Sequence, residues 1–388
     1  MPVFSEHCGS RLVEHGFSAY YAFSTARDML LRRSPRSVNV LTDADLAQLS
    51  RLFPELQFRQ GRSEHAYLDA GGWAVRFYSS DCTADRPVSI PGIADGNHEL
   101  LRRALRAEPF LINSFFYDIA ESIFHDPLDS YPLLKKGTIR TRRAPAQALE
   151  EHPNLAVLAA RAHTDTGFAI DQALTSLLDR RENTGVYRAP GGDTVAAFRG
   201  MLASRDAYRG MVLLDRWGVL DELLPEVSRL KLVEQDKDHH PEGDAFLHTL
   251  HCLQHVKKPS TNLMLALLLH DTGKAVSRSG RISRPFPNHA VESRKIAAQV
   301  LDRFQVNGSD REEILFLVQN HMILNRVSSL RGSQRRELLS SPYFPNLLQL
   351  FRADIESGFH RAAGYHHAAR EYRAFLKEQR QLEGFAVR

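Results

Sequence analysis

The sequence is poor in cysteine. Cys8, Cys82 and Cys252 are too few and too scattered for a disulfide framework, and no CxxC pair exists to build a cysteine-based zinc site. They are read as reduced and structural. Long apolar runs are scarce too: the longest aliphatic run, Leu263 to Leu269, falls far short of the roughly 20 residues that span a bilayer. The opening stretch MPVFSEHCGSRLVEHG lacks the apolar core of a signal peptide. A cytoplasmic protein with no membrane partner is expected. No internal repeat or low-complexity tract occurs. A composition of 43% hydrophobic and 25% charged residues excludes the fibrous and disordered classes.

What is present is length and a scatter of arginines. At 388 residues the chain exceeds the roughly 250 residues that one core usually serves, so several domains are expected. The formal charge of +4 is mild, but arginines cluster at 32, 33 and 36, at 102, 103 and 106, and at 140, 142 and 143. Such clusters can track a phosphate backbone or simply form a solvated surface. The runs SVNVLT and WAVRFYSS alternate like strands, with a turn expected at Gly71 and Gly72. Beyond Leu100 helical periodicity dominates, broken at HDPLDSYP, RAPGGD and DKDHHPEGD. The expected fold class is α+β, a small sheet-bearing head over 1–95, a helical neck and body over 96–234, and an all-helical domain over 235–375.

Three predicted helices each turn a polar group toward the core. Leu263, Ala266, Leu267 and His270 share one face, as do Ile314, Leu317, Val318 and His321, and Leu347, Leu350, Phe351 and Asp354. Burying such a group alone costs roughly 1–3 kcal/mol, and a lone carboxylate costs far more, so they need a common partner. Asp244 can cap a helix carrying His248, and the loop FPNH delivers His289 at the start of another. Imidazoles with carboxylates suit a divalent transition metal such as Mn, Fe, Co, Ni or Zn. His248, His270 and Asp354 would serve one ion, His289 and His321 a second, and Asp271 both. Such ions lower the pKa of a shared water and hold a phosphate, and Lys274 could balance its charge. His251 and His255 have no slot in this pattern and are read as structural.

The stretches HPEGD at 240–244 with His248-Thr249, LLLHDTGK, PNHAVES, LVQNHM and FRADIES resemble the HD domain of metal-dependent phosphohydrolases. More narrowly, they are similar to the HD domain attached to bacterial tRNA nucleotidyltransferases and poly(A) polymerases. The resemblance implies an all-helical HD fold over about 235–360, phosphoester hydrolysis, Asp271 and Lys274 in catalytic roles, and His240 and Asp244 in support of the ligands.

The same family carries a nucleotidyltransferase head, and AYYAFSTARDMLLRRSPRSVNVLTD resembles its opening. Arg27-Asp28 is kept. The family's Gly-Gly turn, which lets a triphosphate approach the main chain, aligns with Phe23-Ser24. Its Asp-x-Asp aligns with Ser37-Val38-Asn39, which carries no charge for two magnesium ions. Its Arg-Arg-Asp-Phe-Thr-Ile-Asn aligns with Ala107 to Asn113, and its base-reading Glu-Asp-x-x-Arg with Glu151 to Leu155. RAHTDTGFAID (161–171) resembles the neck helix that follows.

The expectation from this pattern is a metal-dependent HD phosphohydrolase or phosphodiesterase acting on a nucleotide or RNA. Its head, unlikely to transfer nucleotides, would serve RNA binding or assembly, a homodimer included. The alternatives are RNA or tRNA 3′-end nucleotidyl transfer by an atypical head, a non-catalytic RNA-binding protein, and a di-iron oxygenase built on the same ligands.

Overall fold

In β1 (Ala19–Ala22) and β2 (Val38–Thr42) consecutive side chains serve opposite faces of one sheet, as the two-residue period of a strand requires. Ala19, Tyr21, Val38 and Val40 enter one apolar cluster, and Tyr20, Ala22 and Leu41 enter another. Strands buried on both faces read as continuous apolar runs, which is how AYYA reads, while VNVLT buries the polar Asn39 and Thr42 among its apolar residues. The computed structural model describes residues 3–59, 65–70, 73–78, 98–181, 190–234, 243–277, 286–358 and 363–386. His240, Gly71 and Gly72 lie outside the described residues, as does most of the DKDHHPEGD loop.

The chain forms two compact units. The first comprises Met1–Leu155, Thr166–Arg180 and Gly191–Asp193, and the second Ala156–Asp165, Arg181–Pro190 and Thr194–Arg388. The first unit is built on a seven-stranded sheet. The remaining strands are β3 (Gln57–Arg59), β4 (His65–Ala70), β5 (Trp73–Tyr78), β6 (Phe116–Asp118) and β7 (Ile123–His125), and the order is β3-β4-β5-β2-β1-β6-β7. Only β2 and β5 pair in parallel among these described strands, with Asn39 opposite Arg76. Helices α1 (Val3–Glu14) and α3 (Leu46–Leu52) cover one face through Leu12, Leu49 and Leu52. Helix α4 (His98–Ala107) covers the other through Leu101 and Leu105. Asp45 caps α3, accepting from the Gln48 N–H at 2.7 Å.

The sheet runs further along the chain than the 1–95 expected. Strands β6 and β7 lie beyond residue 115, where three-residue strands are too short to show alternation against a helical background. The mixed class is otherwise as expected, a sheet-bearing head followed by a mostly helical body.

The second unit is helical. Five of its helices position the polar cluster: α5 (Ala245–Gln254), α6 (Thr261–Leu269), α7 (His289–Arg303), α8 (Gly308–Asn320) and α9 (Phe344–Ser357). Helix α6 is central. Every residue from Leu263 to Leu269 is buried, and the helix packs against the other four. Burial of each leucine contributes about 2 kcal/mol, so the register of α6 is held firmly. No described helix is long and apolar enough to cross a membrane.

Candidate functional site

The apolar face of α6 brings His270 to the centre of the second unit, 1% exposed, and Asp271 follows at 2%. Asp244 caps α5 through the Leu247 N–H at 2.8 Å, which sets the helix that buries His248. His289 opens α7, His321 ends α8, and Asp354 lies near the end of α9. All six expected ligands converge. His248, His270 and Asp354 form one group of potential metal ligands, and Asp271, His289 and His321 another.

Asp271 faces both groups. Its Oδ2 lies 3.3 Å from His270 Nε2 and 2.6 Å from Lys274 Nζ, and its Oδ1 lies 3.5 Å from His289 Nε2 and 3.7 Å from His321 Nε2. His248 Nε2 lies 3.0 Å from Asp354 Oδ1, and His270 Nε2 lies 3.9 Å from the same oxygen.

The orientation of the rings is fixed from behind. His270 Nδ1 meets the Leu267 carbonyl at 2.6 Å, His321 Nδ1 the Val318 carbonyl at 2.7 Å, and His289 Nδ1 the Phe286 carbonyl at 3.0 Å. A carbonyl can only accept, so each Nδ1 carries a proton, and a ring that carries no second proton turns the lone pair of Nε2 into the cluster. His289 Nε2 and His321 Nε2 then face each other at 3.2 Å with two lone pairs between them. His270 Nε2 is buried without a hydrogen-bond partner of ordinary geometry, with Asp271 Oδ2 3.3 Å away. Inward-facing acceptors without donors call for a cation, and imidazole nitrogens with carboxylate oxygens suit a transition ion. The residues present fit a metal.

The electrostatics agree. Burial alone would raise the Asp271 carboxyl, but His270 and Lys274 hold it well below the ordinary carboxylate range. Asp354 is likewise held low, the hydrogen bond from His248 outweighing burial. Burial lowers His270, yet Asp271 raises it to about 9. Burial and the neighbouring His270 push His321 down to about 3. In the absence of a metal, one proton on His270 is the cation that compensates the acids.

One member of the cluster was not expected. Cys252, one helical turn after His248 and fully buried, joins the group of His248, His270 and Asp354. Its position at i+4 from a ligand was the available signal. Cys252 belongs to no CxxC pair and is expected from the sequence to be structural; in the fold it lies 3.7 Å from His248 Nε2 instead. His251 and His255 stay outside both groups, the first beside Tyr208 and the second near Glu356.

In the head, Phe23 occupies the turn before α2 (Ser24–Leu30) with φ 56° and ψ −127°, a conformation in which glycine sits without strain. The backbone of a glycine turn thus persists without the glycine, and the ring is buried against Tyr78 and Phe116. Arg27 is buried and bonds Asp28 at 2.8 Å and Asn113 Oδ1 at 2.9 Å. Asn39 donates through Nδ2 to Ser24 Oγ at 2.9 Å and Thr25 Oγ1 at 3.2 Å, and its Oδ1 is buried without a partner. Thr25 Oγ1 in turn bonds the Ser37 carbonyl at 3.1 Å. Asp43 accepts from the Ser18 N–H and Asp45 caps α3, so neither acid stands in for positions 37 and 39.

Residues 239–356 match the HD domain family. The chain is 33% identical over 170 residues to the A-adding tRNA nucleotidyltransferase of Deinococcus radiodurans, covering 40% of this chain and 37% of that protein. It is 32% identical over 221 residues to the multifunctional CCA protein of Halorhodospira halophila, covering 55% and 51%. The chain therefore spans about half the length, or less, of these curated relatives. Among solved structures, the CCA-adding enzyme of Bacillus stearothermophilus in complex with CTP superimposes with a TM-score of 0.58 at 17% identity, over 96% of this chain and 83% of that one. A tRNA nucleotidyltransferase complexed with a primer tRNA and an incoming ATP analog gives 0.50 at 16% identity, over 97% and 99%. Identities this low establish the fold alone.

These findings correct the main functional expectation. A hydrolase with a head unlikely to transfer nucleotides is not what the relatives are; they are nucleotidyltransferases, which favours transfer over an inactive head. Substitution at the phosphate turn and at the acid positions leaves the architecture of the head standing. The chain carries an HD domain toward its C-terminus, and its curated relatives and structural neighbours are CCA-adding and A-adding enzymes, consistent with the tRNA nucleotidyltransferase family.

Proposed function

We propose that this protein adds nucleotides to the 3′ end of RNA, tRNA being the substrate class, through an atypical head, and that its HD domain holds divalent transition metal. The carrying observation is the head turn: the backbone keeps the glycine-type conformation at Phe23, and Arg27 below it stays buried and braced by Asp28 and Asn113. The names of the relatives, A-adding tRNA nucleotidyltransferase and multifunctional CCA protein, support the same activity. Asn39 Oδ1, lacking a partner, offers magnesium a neutral oxygen where the family has an acid. A neutral ligand binds magnesium weakly, so transfer is expected to be slow.

In the HD domain, His248, His270 and Asp354 would hold one ion, His289 and His321 a second, with Asp271 shared. Ions of the Mn, Fe, Co, Ni or Zn type suit these donors and supply Lewis acidity. Lys274 neutralises Asp271 at 2.6 Å and becomes available to an anionic group once a metal takes up that charge. A cytoplasmic tRNA-processing role accords with this reading.

The test is incorporation of labelled ATP and CTP into tRNA trimmed at its 3′ end, with magnesium and with manganese. Label extending the trimmed tRNA supports the reading. Its absence across several RNAs and metals overturns it.

A further inference from the structure

We infer that Cys252 is a metal ligand, adding a sulfur donor to His248, His270, Asp354 and the shared Asp271 in a site that selects a thiophilic divalent ion. The inference rests on the HD cluster being a metal site and adds a donor and a selectivity to it.

Cys252 Sγ lies 3.7 Å from His248 Nε2, and His248 Nε2 lies 3.0 Å from Asp354 Oδ1. His270 Nε2 is 3.9 Å from Asp354 Oδ1, and the four ligand atoms all lie within 4.8 Å of one another. Metal–sulfur and metal–nitrogen bonds of about 2.3 and 2.0 Å, at angles of about 90–110° between neighbouring donors, put S and N roughly 3.0–3.6 Å apart, and N and O roughly 2.8–3.3 Å apart. The S–N separation of 3.7 Å and the shorter N–O separation of 3.0 Å lie near these values, and the longer N–O separation, 3.9 Å, is about 0.6 Å beyond them. His270 Nε2, 1% exposed and without a hydrogen-bond partner, supplies an independent buried nitrogen donor at the same place.

The surroundings orient the donors. The Ser357 hydroxyl donates to the Asp354 backbone carbonyl at 2.7 Å, which leaves its oxygen to accept from His248 Nδ1 at 3.2 Å. With Nδ1 protonated in this way, His248 Nε2, which hydrogen-bonds Asp354 Oδ1 at 3.0 Å in the metal-free chain, would turn its lone pair inward when a metal replaces the proton between them. Cys252 Sγ sits 3.2 Å from the same hydroxyl, so the thiol is held by its partner rather than packed as an inert apolar group. Binding converts the thiol to a thiolate as the sulfur–metal bond forms, and its proton leaves to solvent. Two nitrogens and one sulfur beside the oxygens of Asp354 and the shared Asp271 favour Zn2+ or Co2+ over Mn2+.

The experiment uses the full chain stripped of metal, as wild type and as Cys252→Ser, titrated with Co2+. Bound cobalt is counted after desalting, and the visible and near-ultraviolet spectra are recorded. Wild type is expected to bind cobalt with a thiolate-to-cobalt charge-transfer band. Cys252→Ser is expected to keep cobalt more weakly, by 10- to 100-fold, and to lose the band. The Zn2+ over Mn2+ preference in competition should shrink in the same variant. Cobalt bound to wild type without the band, or a band that survives in Cys252→Ser, overturns the role of Cys252 while leaving the metal site intact. A wild type that binds no cobalt overturns the metal reading and the inference with it.

Discussion

Gly273 lies in the 3-10 turn Thr272–Ala275 that carries Lys274, directly after Asp271 and Thr272, and packs against the first turns of α7. A Cβ there would stand 2.2 Å from the His289 carbonyl oxygen, 2.5 Å from Ser293 N and 2.9 Å from Ser293 Oγ, where ordinary contact begins at 3.4 Å. The two nearest atoms are backbone, so no rotamer change relieves the clash, and turn and helix must separate by about 1 Å. Gly273→Ala therefore overpacks the site, at about 1–3 kcal/mol, and strains the 2.8 Å bond from Gly273 N to Ser293 Oγ, worth about 1 kcal/mol more. At roughly 2–4 °C per kcal/mol for a unit of this size, the thermal midpoint of the HD transition should fall by about 5–15 °C. The same shift moves His289 away from Asp271, so metal affinity should drop by about 10- to 100-fold. Calorimetry with a metal titration reads both. A variant with unchanged midpoint and unchanged affinity would refute the close approach.

The double variant Ser37→Asp/Asn39→Asp should raise nucleotide incorporation at least tenfold with magnesium by restoring charged ligands, by about 1.4 kcal/mol of barrier or more; a rate no higher than wild type argues against metal ions at this strand. Phe23→Gly relieves a strained turn, worth about 1–3 kcal/mol, but forfeits a buried ring, worth about 3–5 kcal/mol. Urea unfolding should therefore show a net loss of about 2 kcal/mol, and a variant as stable as wild type would contradict the buried placement of the ring. Metal-free protein should be most stable near pH 6.5. His321, lowered to about 3, takes up a proton on unfolding as pH falls from 6.5, and His270, raised to about 9, loses one on unfolding as pH rises above 6.5. Thermal midpoints climbing steadily from pH 6.5 to 9 would contradict the His270–Asp271 pairing.

The HD cluster was legible because three helical stripes each end in a polar residue, and helical spacing converts sequence into direction. Cys252 escaped notice because a cysteine on an apolar helix reads the same whether it packs or ligates; the difference lies in His270 and Asp354, far away in sequence. Strands β6 and β7 escaped because three residues hold no period. The turn at Phe23 was found by resemblance, but its glycine-type φ became visible only in the fold.

The sequence by itself determined the mixed class, the seven-residue apolar heart of α6 and the list of inward polar groups, because hydrophobic periodicity and capping are local properties of the chain. Only the tertiary structure decided that Asp271 presents one oxygen to each group of ligands, that His289 and His321 meet lone pair to lone pair, and that Cys252 joins a site with Asp354. Those are facts of distance between residues up to 106 positions apart in sequence, set by how four helices pack around α6, and spacing along the chain carries no record of them.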